Sequence, residues 1–275
     1  MEKTNGMTME HLRERAQWVR RETLKIHGIA PETRVASSLS DVEIFVALYY
    51  GNLLRFEPSN PLWPGRDRLI ISKGHGSISL YPILADLGYF DRSELERVCR
   101  EGSILGGIPD TMIPGYETIN GSLGHGLGVA CGMALALRRQ GSDAHVFVLV
   151  GDGELYEGSV WEAVMFAAHH NLGNLTAIID NNKICMLDLC SRVIDLQPLE
   201  QKFSAFNWHV DTIDGHDIEA VMQSLTGMKR NQGRPKVVIA DTVKGKGVPS
   251  LEHDTLCHIK SLSQAEIAAA LEELQ

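Results

Sequence analysis

The sequence has few cysteines, no long hydrophobic run and no block of positive charge. Its five cysteines are scattered over 275 residues without a C-x-x-C pair, so neither a disulfide framework nor a zinc site is predicted. No apolar stretch approaches the roughly 18 residues of a membrane-spanning helix, and the first residues lack a signal-peptide core. We therefore expect a reduced, cytoplasmic protein without a membrane partner.

The charge balance is acidic, which argues against nucleic acid as a partner. The chain has 26 Lys and Arg against 35 Asp and Glu, a formal net charge of -9, and no sustained basic stripe. Apolar residues make up 44% of the sequence, enough for a substantial core. Because no repeat, low-complexity segment or linker divides the chain, a single domain over residues 1–275 is predicted.

Five short apolar runs recur along the chain, with helical patterns between them. They cover residues 69–72, 146–150, 175–180, 210–213 and 237–241. Their hydrophobicity is nearly continuous, as in parallel strands that helices cover on both faces. The pattern predicts an α/β fold with a doubly wound, mainly parallel sheet.

Helix starts and loops are marked by smaller signals. Ser40 with Glu43, and Ser263 with Glu266, have the spacing of a capping box and predict two helix N-termini. Glycine and proline are frequent in residues 102–128 and 244–249, which are predicted to be loops. Long loops in a compact domain are often functional.

Two polar segments follow consecutive predicted strands. GDGELYEG begins where HVFVLV ends, and Asn182 ends the next run, LTAIIDNN. Open α/β sheets bind ligands at the carboxyl ends of their strands, so Asp152 and Asn182 are expected to lie close together. Gly151 and Gly153 would let the backbone approach a phosphate. A carboxylate, an amide oxygen and a carbonyl from the following turn suit Mg²⁺ or Ca²⁺.

A GDG motif followed by NN about thirty residues later resembles the diphosphate-binding motif of thiamine-dependent enzymes. RDRLIISKGHGS, PGYETINGSLGHGLGVACGMALAL, GDGELYEGSVWEA and ADTVKGKGV resemble the N-terminal domain of transketolases, in the family's order, between about Val19 and His258. The resemblance implies thiamine diphosphate as cofactor. It also implies a separate partner chain with the pyrimidine-binding domain and the activating glutamate, in an α2β2 assembly.

The resemblance assigns roles to individual residues. Metal ligands would be Asp152, Asn182 and the carbonyl of Ile184, and the catalytic residues would be His75 and His258. The implied cofactor-binding residues are His75, Gly121, Ser122, Leu123, Gly151, Asp152, Gly153, Glu154, Asn182, Lys244 and His258. Glu157 would contact its counterpart across the subunit interface. Lys244 and Lys246 would belong to a lid, with an ordinary solvated loop as the alternative.

Two positions on the sugar-facing side depart from the family pattern. Arg34 and Ile108 stand where the family has histidines, and Ser122 replaces a proline. A guanidinium suits an oxyanion, and an apolar side chain cannot hydrogen-bond a donor hydroxyl. We therefore expect a retained cofactor and an altered, non-standard sugar or acyl substrate.

Three functions are compatible with these observations. The first is transfer of a two-carbon ketol unit from a ketose to an aldehyde or ketone. The second is the α-type subunit of a thiamine-dependent acyl-transfer or decarboxylating enzyme. The third, a relative without cofactor, is disfavoured because Asp152 and Asn182 are both present.

Overall fold

One parallel sheet organises the computed structural model, which describes residues 8–119, 121–186 and 188–274. Its strands are β1 (Arg68–Ile71), β2 (Val146–Gly151), β3 (Leu175–Asn181), β4 (His209–Asp214) and β5 (Lys236–Asp241). All neighbours pair in parallel, in the order β1-β2-β3-β5-β4. Every strand lies within one residue of its predicted run at each end. The predicted fold class is confirmed.

Helices occupy most of the remaining chain. The α-helices are α1 (Met9–Ile29), α2 (Val35–Leu39), α3 (Val42–Tyr49), α4 (Leu80–Asp86), α5 (Gly126–Arg139), α6 (Gly158–His169), α7 (Cys190–Val193), α8 (Leu199–Ala205), α9 (Ile218–Arg230) and α10 (Gln264–Glu273). Short 3₁₀ helices span Gly74–Ser79, Arg92–Arg97 and Asp152–Tyr156. Among the helices described, none is long and apolar enough to cross a membrane.

Successive residues of the central strands point into two different cores. In β2, Phe147 and Leu149 pack with α1, α3, α4 and α9, whereas Val146, Val148 and Val150 pack with α5, α6 and α8. All six residues of β2 are buried, because helices cover both faces of the sheet. This arrangement explains the continuous hydrophobicity of the runs and exposes the strand ends as the place for polar groups.

The edge strand β4 differs from the others. No residue of β4 is fully buried, and two of its six residues are exposed. It pairs only with β5 within the described sheet, so it has a neighbour on one side. The continuous burial predicted for all five runs is therefore wrong for β4.

One predicted capping box is confirmed and one is wrong. Ser263 and Glu266 form the reciprocal bonds at the start of α10. Ser40 does not cap a helix: its hydroxyl donates instead to the carboxylate of Asp180 at 2.7 Å and to the Ser37 carbonyl. A buried charged acceptor competes successfully for this hydroxyl, and α3 begins without a side-chain cap.

Candidate active site

A cavity of about 500 Å³ opens at the carboxyl ends of β2 and β3. It collects residues from α2, the segment after β1, the loop before α5, the ends of β2 and β3, and the segment after β5. Most predicted site residues line it: Arg34, His75, Gly121, Leu123, Gly151, Asp152, Gly153, Glu154, Asn182, Ile184, Lys244 and His258. The topology thus joins sequence segments that are far apart in the chain.

Asp152 and Asn182 follow adjacent parallel strands, as expected. β2 pairs with β3 up to Gly151 opposite Asp180. The carboxylate of Asp152 accepts hydrogen bonds from the backbone N–H groups of Gly153 at 2.7 Å and Lys183 at 2.5 Å. These two bonds hold the carboxylate at the carboxyl ends of β2 and β3.

The amide of Asn182 is held at both ends. Its Nδ2 donates to Asp180 at 2.8 Å, and its Oδ1 accepts from the backbone N–H of Ile184 at 3.2 Å. Asp152 and Asn182 are each 6% exposed, and Ile184 is 5% exposed. Asp152, Asn182 and Ile184 therefore line one nearly dry part of the cavity.

This donor set fits a hard divalent cation, which prefers oxygen ligands. The described part of the chain contains no cluster of three or more His, Cys, Asp or Glu side chains arranged for a metal. The protein oxygens alone would leave a Mg²⁺ or Ca²⁺ shell incomplete, so a bound diphosphate or water would have to supply the remaining ligands. The residues fit a metal that arrives together with a phosphate group.

Charged groups of both signs surround these oxygen atoms. Burial and then the nearby Asp180 carboxylate raise the pKa of Asp152 to about 6. Lys244, only 4% exposed, donates to the Ile184 carbonyl at 2.8 Å. Its segment is tied to α2 because Gly245 donates its N–H to the Ala36 carbonyl. Lys244 is thus part of the cavity wall, whereas Lys246 is 39% exposed.

Glu154 holds the glycine-rich loop against the end of β2. Its carboxylate accepts from the backbone N–H groups of Gly124 at 2.8 Å and Gly151 at 3.2 Å, and from the Ser72 hydroxyl. A Cβ at Gly126 would lie 2.3 Å from the Ser72 Oγ, so only glycine fits there. Burial raises the pKa of Glu154. Through its bond with Gly124, Glu154 holds in place the loop whose residues Gly121 and Leu123 line the cavity.

His75 and His258 form a pair on the cavity wall. Their rings meet edge to face, with centroids 4.9 Å apart. Burial first, and then neighbouring lysines, lower the pKa of His258 to about 4 and that of His75 to about 2. The Nδ1 of His258 lies 3.3 Å from the Ser37 hydroxyl. Both imidazoles are therefore neutral at pH 7, where one ring nitrogen donates and the other accepts.

A buried charge network beneath the cavity was not predicted. The ammonium of Lys73 contacts the Asp180 carboxylate, Asp41 at 2.9 Å and the Ser37 carbonyl at 3.0 Å. Burial opposes ionisation of Asp180, but Lys73 outweighs it and lowers the pKa of Asp180 to about 2. The sequence signal was available: Lys73 and Asp180 are charged residues at the ends of otherwise apolar strands.

Three predicted residues do not line the cavity. Ser122 is exposed. Ile108 is 50% exposed and borders Gly121, where a Cβ would lie 3.5 Å from its Cγ2. Glu157 is exposed at the N-cap of α6. Arg34, in contrast, reaches the cavity, and its charge is among the causes that lower the pKa of His258, after burial and Lys244.

Sequence comparisons identify relatives with the same extent as this chain. The family model of the transketolase thiamine diphosphate-binding domain matches residues 35–275. The 6-deoxy-6-sulfo-D-fructose transketolase subunit of Clostridium sp. (strain MSTE9) is 38% identical over 265 residues, which cover 96% of each chain. An apulose-4-phosphate transketolase subunit of Actinobacillus succinogenes is 38% identical over 272 residues, which cover 98% of each chain.

Structural comparison gives the same relationship. The crystal structure of transketolase from Campylobacter jejuni superposes with a TM-score of 0.91 and 31% sequence identity over 98% of this chain. The matched part is only 43% of that transketolase chain, so this chain spans less than half of it. By its sequence and its fold, the chain belongs to the transketolase family, as its thiamine diphosphate-binding domain.

Proposed function

We propose that the chain is the cofactor-binding subunit of a two-chain transketolase. It transfers a two-carbon ketol unit from a ketose to an aldehyde or ketone acceptor. The observation that carries the proposal is the cavity at the ends of β2 and β3, where oxygen donors meet two neutral histidines. Thiamine diphosphate, when bound, supplies the carbon nucleophile. The whole chain, residues 1–275, acts as one domain in this proposal.

The cofactor end of the cavity would be held by residues of this chain. Asp152, Asn182 and the Ile184 carbonyl would hold Mg²⁺ or Ca²⁺, which would neutralise diphosphate charge at the strand ends. Gly153 and Gly151 leave room for the phosphates, since glycine has no side chain there. Lys244 contributes positive charge beside these ligands, since its ammonium donates to the Ile184 carbonyl.

His75 and His258 would face the substrate at the reacting end. Because both are neutral near pH 7, either ring can donate a hydrogen bond to a substrate oxygen or accept one from a hydroxyl. The Ser37 hydroxyl beside His258 fixes the orientation of that ring.

A partner chain would complete the site. Two exposed apolar side chains line the cavity, Met186 at 62% and Val193 at 50% exposed. A patch of this kind marks a protein interface. The partner supplies the pyrimidine-binding domain and the activating glutamate.

We further propose an α2β2 assembly. Gly128 and Gly132 leave open space along α5, and Val129 and Phe166 beside them are partly exposed. A close helix contact fits this groove, with Glu157 next to it. The five free cysteines suit a reducing compartment, the cytoplasm.

The substrate is proposed to differ from ordinary ketose phosphates. Within the described residues, the Arg34 guanidinium has no hydrogen-bond or ion-pair partner, although it faces the cavity. It is placed to bind an oxyanion of the substrate. Two relatives of the same length are named for unusual sugars, a sulfofructose and apulose 4-phosphate.

A second candidate, thiamine-dependent acyl transfer or decarboxylation, is favoured by Ile108. Its apolar side chain borders Gly121 at the cavity mouth and offers no hydrogen bond to a donor hydroxyl. A donor whose transferred unit ends in a methyl group would suit it. The choice of donor separates this candidate from ketol transfer.

A donor panel tests both candidates. The chain, its partner, thiamine diphosphate and Mg²⁺ would be mixed with ketoses, ketose phosphates, sulfonated ketoses and 2-oxo acids, with Asp152→Ala as control. Two-carbon transfer from ketoses that requires both chains supports the first proposal. Turnover of 2-oxo acids alone supports the second. Arg34→Leu should reduce turnover of anionic donors more than of neutral ones.

A further inference from the structure

Asp180 lies behind the proposed metal site without lining the cavity. It is fully buried near the end of β3, two residues before Asn182. Its Oδ2 accepts from Asn182 Nδ2 at 2.8 Å and from the Ser40 hydroxyl at 2.7 Å. Its other oxygen accepts from the Thr242 hydroxyl. One carboxylate therefore connects the end of β3 to Ser40, which follows α2, and to Thr242, which follows β5.

The contact of Asp180 with the Asn182 Nδ2, together with the Ile184 N–H that donates to Oδ1, determines which end of the amide faces the cavity. A side-chain amide presents an oxygen acceptor at one end and two N–H donors at the other. An ionised carboxylate is acceptor-only, so the N–H end must face Asp180 and the oxygen must point away. The opposite orientation would place two acceptors together and would turn an N–H group toward a cation.

Lys73 keeps Asp180 in this acceptor-only form. Its ammonium contacts the Asp180 carboxylate and is anchored by Asp41 at 2.9 Å and the Ser37 carbonyl at 3.0 Å. Lys73 is 2% exposed, so water does not compete for these contacts. The orientation of the amide follows from this charge arrangement.

We propose that Asp180 is a positioning residue for metal binding: its carboxylate, clamped by Lys73, Ser40 and Thr242, fixes the Asn182 amide so that Oδ1 faces the cation. The inference rests on the proposed metal site. Groups that orient metal ligands in this way are worth about 10–100-fold in metal affinity.

Mn²⁺ binding tests the proposal without an activity assay. Free Mn²⁺ would be followed by electron paramagnetic resonance in titrations of the full chain with thiamine diphosphate. Asp180→Asn should weaken Mn²⁺ affinity by about 10–100-fold. The matched control is Asp241→Asn at the end of β5, whose carboxylate contacts Asn181 instead. It should leave the affinity unchanged.

The swapped pair Asp180→Asn with Asn182→Asp sharpens the test. Asn182→Asp alone places two carboxylates side by side and should weaken binding. In the swapped chain the amide at position 180 donates to a carboxylate at position 182, and Mn²⁺ affinity should recover toward the wild-type value. A purely structural role would instead lower the thermal midpoint of unfolding and leave the affinity of the folded chain unaltered.

Each outcome decides the question. Unchanged Mn²⁺ affinity in folded Asp180→Asn, or a folded swapped chain without recovery, overturns the proposal. If Asp180→Asn does not fold, the swapped chain carries the test. If neither variant folds, Thr242→Val is the test, because it removes a hydrogen bond to the Asp180 carboxylate. Unchanged Mn²⁺ affinity in Thr242→Val would then overturn the proposal. Should Asp152→Ala bind Mn²⁺ as the wild type does, the metal site itself is refuted, independently of Asp180.

Discussion

The floor of the cavity is charged and buried, whereas its rim is apolar and exposed. The floor, formed by Lys73, Asp152, Asp180, Asn182 and Lys244, is at most 6% exposed, and Lys73 forms an ion pair with Asp180 within it. The rim, formed by Ile108, Met186 and Val193, is apolar and at least 50% exposed. Buried charges need partners inside the chain, whereas exposed apolar side chains need cover from outside it.

This difference separates the two halves of the proposed function. The floor has its oxygen donors and counter-charges in place, so the cofactor end is specified by this chain. The rim leaves the reacting end open to solvent, which a site that must exclude water cannot tolerate. The contrast explains how a chain that spans 43% of a full transketolase can hold the cofactor and yet require a partner.

Removing the carboxylate of the proposed metal site should have the largest effect on the floor. Asp152→Ala, assayed with the partner, should lower ketol transfer by more than about 100-fold. The loss of a direct ligand should exceed the effect of losing a group that only orients a ligand, which is about 10–100-fold. Binding of thiamine diphosphate with Mg²⁺, followed by tryptophan fluorescence, should weaken in parallel. The control is Asp195→Ala, an exposed carboxylate at a neighbouring cavity. Retained cofactor binding in Asp152→Ala would contradict the proposal that Asp152 holds the metal and the diphosphate.

Removing the central cation of the floor should destabilise the fold. Lys73→Met leaves Asp41 and Asp180 buried without a counter-charge, at a cost of about 3–5 kcal/mol in the free energy of unfolding. Lys183→Met removes a half-exposed pair with Asp241 and should cost no more than about 1 kcal/mol. Chemical denaturation of both variants measures the difference. Equal losses of unfolding free energy would mean that Lys73 contributes no more to stability than a surface ion pair does.

A charge on the rim should act on association and not on folding. Val193→Asp should weaken binding of the partner by about tenfold or more, a loss of more than about 1 kcal/mol as at interface residues that matter. The free energy of unfolding of the isolated chain should not change, because Val193 is 50% exposed. Leu62→Asp is the matched control, since Leu62 is 77% exposed near the start of β1, at the other end of the sheet. Calorimetric titration with the partner distinguishes them, and an equal loss in both variants would contradict an apolar docking rim.

The floor was only partly predictable from the sequence. Asp152 and Asn182 were placed together because consecutive parallel strands with polar ends leave few alternatives. Lys73 and Asp180 stand out as charged residues at the ends of apolar strands, but their pairing joins residues 107 apart in sequence, which no local pattern encodes. Ser40 was misread for the same reason, since its hydroxyl serves Asp180 and not the helix that follows.

The rim was less predictable than the floor. Ile108 was identified by its departure from the family pattern, but its half-exposed position beside Gly121 is a tertiary property. Exposed apolar residues such as Met186 and Val193 are indistinguishable in sequence from core residues. The strands were predicted within one residue, because burial on both faces gives a continuous apolar signal that a short run can carry.

Titration of the partner into a fixed amount of this chain tests the central claim most directly, with two-carbon transfer as readout and saturating thiamine diphosphate and Mg²⁺. We predict no transfer by either chain alone, and a rate that rises with added partner and saturates at equal molar amounts. Transfer by this chain alone at the full rate would contradict the account, because the exposed rim would then need no cover.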